Sequence, residues 1–219
     1  MSKMSSSLRD GLRSLAMEEL YWARPVPRIV EGHDALYDMA AATIGADTQV
    51  DYLEFGVANG KSLIKMADRF KHRSSRFFGF DSFLGLPEDW LMHKIGAFSR
   101  GGQLPPMTDA RITLVPGWFQ NTVPDFLRRF SPRRRAKVLI HYDADLYAST
   151  LFVLASIWPR ISNYHFMMDD FVHDDAVALR DFSAAYPVEI KFLGQTRGGG
   201  TRPNPDQVLA TMERTAFTI

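Results

Sequence analysis

The chain has 219 residues, 26 basic and 25 acidic side chains, a formal charge of +1 and 46% hydrophobic residues. That length and apolar content predict one domain with a full core, and the near-cancelled charge argues against a nucleic-acid partner. No cysteine is present, which excludes disulfides, thiolate metal sites and cysteine nucleophiles; no apolar run reaches the roughly 20 residues that span a bilayer, and the N-terminus shows no signal-peptide core. A cytoplasmic protein without a membrane partner is the expectation.

Residues 1–7 are serine-rich and read as disordered. From Leu8, apolar residues at Leu12, Leu15, Ala16 and Leu20 recur at helical spacing, and the helix ends before Pro25. A second helix is predicted over Asp34 to Ile44, stopped by Gly45. Strands and helices then alternate: strand 50–55, helix 62–70, strand 76–80, strand 112–115, helix 119–130, strand 136–142, helix 150–161, strand 164–168, helix 174–186, and last strands 188–193 and 207–213. Gly198 to Pro205 reads as the hairpin connection between the last two. Residues 84–110 show no period and hold exposed-looking aromatics; a connection that long favours a functional lid.

Five strands alternating with helices predict an α/β, Rossmann-like, seven-stranded, mostly parallel sheet. Helices cover both faces, and an antiparallel hairpin forms the edge. Residues 1–46 are expected to form an N-terminal helical cap segment and 47–219 the main domain. Apolar residues in the first 45 positions suit a contact in a homo-oligomer.

In an open α/β sheet, ligands bind beyond the carboxyl ends of the strands. Three predicted strand ends carry chemistry. At the first, Glu54, Gly56, Gly60 and Ser62 form a strand-to-helix turn of cofactor type. Gly56 permits the tight turn, Gly60 a close backbone approach, and Ser62 lies at the helix start, where N–H groups favour anions. Glu54, two residues before Gly56, is placed to meet an ammonium or bound water. Asp81 ends the second strand, about 20 residues later, where an acid binds ribose hydroxyls in nucleoside-binding α/β folds. The other two ends are acidic: His141 to Asp145, and Met167 to Asp170. Asp143, Asp169 and Asp170 would repel one another unless a cation intervenes, and their oxygens suit Mg²⁺. Such an ion lowers the pKa of a bound hydroxyl. Asp145 is either a further ligand or a helix cap, and Asp174 and Asp175 open a helix. His173, just past Asp170, is the better general-base candidate. His141 is expected to face away from Tyr142 and to be packed. The basic run Arg128, Arg129, Arg133 to Arg135 and Lys137 reads as a solvated helix end, the alternative being an anion contact.

These segments resemble the macrocin O-methyltransferase family of class I methyltransferases. The resemblance rests on Tyr52 to Val57, Gly79 to Glu88, Gly117 to Pro124, Asp143 to Thr150, and Asp169-Asp170, in the family's order across roughly residues 50–185. It implies S-adenosylmethionine as methyl donor, Mg²⁺ held by Asp143, Asp169 and Asp170, and a small hydroxyl acceptor such as a natural-product sugar, with Asp143 at the reacting centre. It also implies cofactor contacts at Gly56, Gly60, Asp81 and Ser82, and an adenine site near Trp118 and Phe119. Where the family has a glycine-containing turn before the Asp-Asp pair, this chain has Ser162 to His165. Two competing expectations remain. One is a metal-dependent glycosyltransferase using Asp143-Ala144-Asp145 as a D-x-D motif; the other is a cofactor binder without catalysis.

Overall fold

The computed structural model describes residues 6–198 and 204–215. The expectation for residues 1–7 falls mainly outside this range, as does most of the expected hairpin loop 198–205. The chain opens with α1 (Ser6–Met17), which continues into a π-helical turn (Glu18–Trp22). Then follow β1 (Arg28–Val30), α2 (Gly32–Ile44), β2 (Val50–Phe55), α3 (Lys61–Arg69), β3 (Arg76–Asp81), β4 (Ile112–Pro116), α4 (Phe119–Arg129), β5 (Lys137–Tyr142), α5 (Tyr147–Ile157), β6 (Asn163–Met168), α6 (Asp174–Ala185), β7 (Val188–Thr196) and β8 (Val208–Arg214).

The strands form one sheet in the order β1-β7-β8-β6-β5-β2-β3-β4. All pairings are parallel except β6–β8 and β7–β8. The expected seven strands and the antiparallel hairpin are therefore present. An eighth strand, β1, was missed because three residues between Pro27 and a helix carry no legible alternation. It pairs with β7 in parallel and so covers the outer strand of the hairpin.

Alternation along the strands divides the core into two layers. Tyr52, Leu139, Met167 and Leu209 pack with Leu36 and Tyr37 of α2 and Leu63 and Met66 of α3. Phe55, Ile140, Tyr142, Phe166 and Val208 pack on the other face with α4, α5, α6 and the end of α1. Arg13 of α1 donates two hydrogen bonds to Asp174 Oδ1 at the start of α6, at 3.0 and 2.8 Å. Helix α2 shares its core layer with β2, so residues 28–44 are built into the sheet and its covering layer.

The crossover from β3 to β4 has no helix. Residues 82–111 replace it with an irregular segment whose Leu86 and Trp90 are buried with Leu146, while Met92 is 87% exposed. This is the segment expected to be a lid, and its position over the strand ends is what shapes the site below it.

Candidate active site

A cavity of about 590 Å³ opens beyond the carboxyl ends of β2, β3, β4, β5 and β6. Its volume lies in the range of small-molecule sites. Chain order reverses between β2 and β5, so the cavity sits at the switch point of the sheet. Gly56 to Ala58, Asp81, Ser82, Trp118, Phe119, Asp143, Asp145 and Asp170 all line it, joined from the irregular segment by Leu86, Trp90, Met92, His93 and Phe98.

Six non-glycine residues with positive φ occur among the described residues, and five of them line this cavity: Ala58, Leu91, Phe98, Asp145 and Asp170. L-residues hold that conformation at a cost of about 1–3 kcal/mol each. Backbone strain of this kind gathers where function over-determines geometry.

The glycine turn is built by close approach. Gly56 has φ +97°, and a Cβ there would lie 1.7 Å from the Asp143 carbonyl oxygen; only glycine lets the ends of β2 and β5 meet. Gly60 caps α3 in the left-handed region, and a Cβ there would strike Met107 at 2.3 Å. The close approach expected at Gly60 is thus to the irregular segment, and Gly60 does not line the cavity. Asp81 organises the turn. Its Oδ2 accepts from the Val57 and Ala58 N–H groups, both at 2.8 Å, and its Oδ1 accepts from Phe83 N–H at 2.6 Å. One lone pair on Oδ1 is left for a hydroxyl.

Glu54 and Ser62 lie beneath the turn rather than in the cavity. Ser62 Oγ donates to Glu54 Oε1 at 2.7 Å, and Tyr52 donates its hydroxyl proton to Glu54 Oε2 at 2.6 Å. Tyr52 Oη is also 2.9 Å from His141 Nδ1. His141 Nε2 lies 2.7 Å from Asp169 Oδ1, and a ring N–H there donates to the carboxylate. Burial alone would push His141 down, but the Asp169 charge and the bonds to Asp169 and Glu54 outweigh it and hold it well above its ordinary value. His141 does face away from Tyr142, as expected; it is an ion-paired relay rather than a merely packed ring. The register of β2 on β5 pairs Glu54 with His141, a signal visible only once strand order is known.

The acidic residues form two groups that share Asp143. One holds His141, Asp143 and Asp169; the other holds Asp143, Asp145 and Asp170. In each, the ligand atoms lie within 4.8 Å of one another. The expected trio of Asp143, Asp169 and Asp170 is therefore divided between the groups, and Asp145 enters the second. Burial, then the charges of Asp170 and Asp169, push Asp145 up to about 7. Burial and Asp169 push Asp170 up to about 6. Asp143 is raised well above the carboxylate range by burial and Asp169. Asp145 and Asp170 offer carboxylate oxygens within 4.8 Å of each other, where two negative charges repel unless a proton or a cation intervenes. A set of oxygens that needs an added positive charge fits a hard divalent cation.

His173 sits at the N-cap of α6, with its ring edge-on to Trp90 at 6.1 Å, and is not among the cavity-lining residues. Burial lowers its pKa. The histidine that lines the cavity is His93, stacked on Trp90 at 5.7 Å. No local pattern marks it in advance, because the segment has no periodicity.

A family model described as a methyltransferase domain matches residues 53–171, which contain the turn, Asp81, the irregular segment and both acidic groups. One similar protein is the 8-demethyl-8-(2,3-dimethoxy-alpha-L-rhamnosyl)-tetracenomycin-C 4'-O-methyltransferase of Streptomyces olivaceus, 29% identical over 165 residues. The match covers 63% of this chain and 59% of that protein's length. Among solved structures, an O-methyltransferase from Bacillus cereus in complex with SAH has a TM-score of 0.54 at 13% identity, over 97% of this chain and 93% of that one. A cofactor-bound protein from MTB has a TM-score of 0.50 at 15% identity, over 95% and 89%. These two likenesses concern the fold.

Proposed function

This chain belongs to the methyltransferase-domain family, and we propose that it transfers the methyl group of S-adenosylmethionine to a hydroxyl of a small acceptor, a natural-product sugar in the first instance, with a divalent cation at the acidic strand ends. The observation that carries this reading is the single cavity in which Gly56 to Ala58 and Asp81 meet Asp143, Asp145 and Asp170. The sugar acceptor draws support from the Streptomyces relative, whose name describes methylation of a rhamnosyl tetracenomycin. Family membership removes the support for the glycosyltransferase reading of Asp143-Ala144-Asp145.

In this reading the cofactor occupies the half of the cavity formed by Gly56 to Ala58, Asp81, Ser82, Trp118 and Phe119. The free lone pair of Asp81 Oδ1 accepts from a ribose hydroxyl. Trp118 and Phe119 supply apolar surface for a heteroaromatic ring. Asp143, shared by the two acidic groups, would hold the cation together with Asp169, Asp145 and Asp170. When bound, it supplies Lewis-acid polarisation that favours the ionised acceptor hydroxyl. The sulfonium carries its own leaving group, so the chain's task is placement and water exclusion. Trp90, Met92 and Phe98 close the cavity on its solvent side. His173 lies outside the cavity-lining residues.

The test is a radiolabelled methyl-transfer assay against a panel of glycosylated and aromatic hydroxyl compounds, with magnesium and with a chelator. Transfer that needs magnesium, and that Asp170→Asn abolishes while SAH still binds by calorimetry, is the expected result. Full activity in chelator would remove the cation from the reading. Absence of SAH binding would remove the reading altogether.

A further inference from the structure

The relay beneath the cavity is a single row of side chains. Glu54 pairs with His141 across β2 and β5, His141 with Met167 across β5 and β6, and Met167 with Leu209 across β6 and β8. Asp169 lies two residues past Met167 and Gln207 two before Leu209, so the two-residue alternation puts all of them on the α2–α3 face. Glu54, His141 and Gln207 have no exposed surface, and Asp169 has 9%. Asp169 Oδ1 accepts from both His141 Nε2 and the Gln207 amide. The other end of the row reaches Ser62, on the helix that follows the glycine turn, through Glu54.

Two donors on one oxygen fix the carboxylate plane of Asp169 and leave Oδ2 as the atom without a protein hydrogen bond among the described residues. His141 lies on β5 and Gln207 immediately before β8, so neither can turn without breaking a buried bond. Among the described residues no other side chain donates to Asp169. We propose that His141 is a positioning residue for the cation site: held by Tyr52 and Glu54, it orients Asp169, whose carboxylate lies within 4.8 Å of a ligand oxygen of Asp143. This rests on the cation reading above. It assigns the row a task that the methyl-transfer chemistry alone does not require.

Removal of a group that orients a ligand in this manner costs about 10–100-fold in metal affinity. The experiment is a Mn²⁺ titration followed by the free-ion EPR signal, on wild type, His141→Leu and His141→Gln, with SAH calorimetry on the same preparations. Wild type should bind Mn²⁺. His141→Leu should weaken it about 10–100-fold with SAH affinity within about twofold, and His141→Gln, whose amide can still donate to Asp169, should fall between. A purely structural role would instead lower SAH affinity and melting temperature together and would not rank the two variants by hydrogen-bond donor. Mn²⁺ affinity unchanged in folded His141→Leu overturns the proposal. If that variant does not fold, unchanged affinity in His141→Gln overturns it. Wild type that binds SAH but no Mn²⁺ overturns the cation reading itself, before any variant is read.

Discussion

Gly56 offers the sharpest test of how the two halves of the site are joined. A Gly56→Ala side chain would stand 1.7 Å from the Asp143 carbonyl oxygen and 2.7 Å from its carbon. That carbonyl cannot retreat freely, because Asp143 N–H donates to Phe55 O at 2.9 Å and Gly56 N–H donates to Phe80 O at 2.9 Å. The substitution carries two costs. An L-residue at φ +97° costs about 1–2 kcal/mol, and forcing apart backbone packed this closely costs about 1–3 kcal/mol more. Gly32→Ala is the control: φ is +77°, but nothing lies within 4 Å of a Cβ there, so it bears the first cost alone. Urea unfolding of both variants should place Gly56→Ala about 2–5 kcal/mol below wild type and Gly32→Ala about 1–2 kcal/mol below. SAH affinity should fall only in Gly56→Ala, since Gly56 lines the cavity and Gly32 does not. Equal destabilisation of the two, within about 0.5 kcal/mol given the scatter of such effects, would refute the claim that close approach at β2 and β5 is what demands this glycine.

Asp81→Asn removes a carboxylate that accepts three backbone N–H bonds; at about 1.5–3 kcal/mol for a hydrogen bond to a charged group, calorimetry should show SAH binding weakened at least about tenfold, and unchanged affinity would deny Asp81 its role in the turn. Magnesium at about 100 times its Kd should stabilise wild type by about 2.7 kcal/mol, a rise of about 5–11 °C for a chain of this size; scanning fluorimetry should show that rise lost in Asp143→Asn, and no rise in wild type would count against the cation. His33 Nε2 lies 2.8 Å from Asp206 Oδ2, and the bond raises His33 and lowers Asp206. The histidine's contribution is present below about 6.5 and lost as pH rises through its raised pKa, while the aspartate's is present above about 4 and lost as pH falls through its lowered one. Urea unfolding should therefore show His33→Ala destabilised at pH near 5.5, by no more than about 1 kcal/mol for so exposed a pair, and equal to wild type at high pH; a larger difference at high pH would contradict that sign.

The sequence alone determined the alternating elements, the glycine turn, Asp81 and the two acidic strand ends. Each of these is local: apolar periodicity, a turn residue, or a charge just past an apolar run. It also marked residues 84–110 as one long connection, because the lack of a period is itself a local observation. Only the tertiary structure decided which of these groups work together. Glu54 and Ser62 look like cofactor contacts in the chain, yet alternation turns Glu54 to the α2–α3 face, where Tyr52, Ser62 and His141 claim it. Asp145 reads as either a ligand or a helix cap, and only the fold, with a positive φ there, brings it within 4.8 Å of Asp143 and Asp170. Asp169 and Asp170 are neighbours in sequence, but the positive φ of Asp170 sends it to the cavity wall while Asp169 meets His141. Strand order and register bring residues 28 to 89 positions apart within hydrogen-bond reach, and a one-dimensional pattern holds no record of which strand lies beside which.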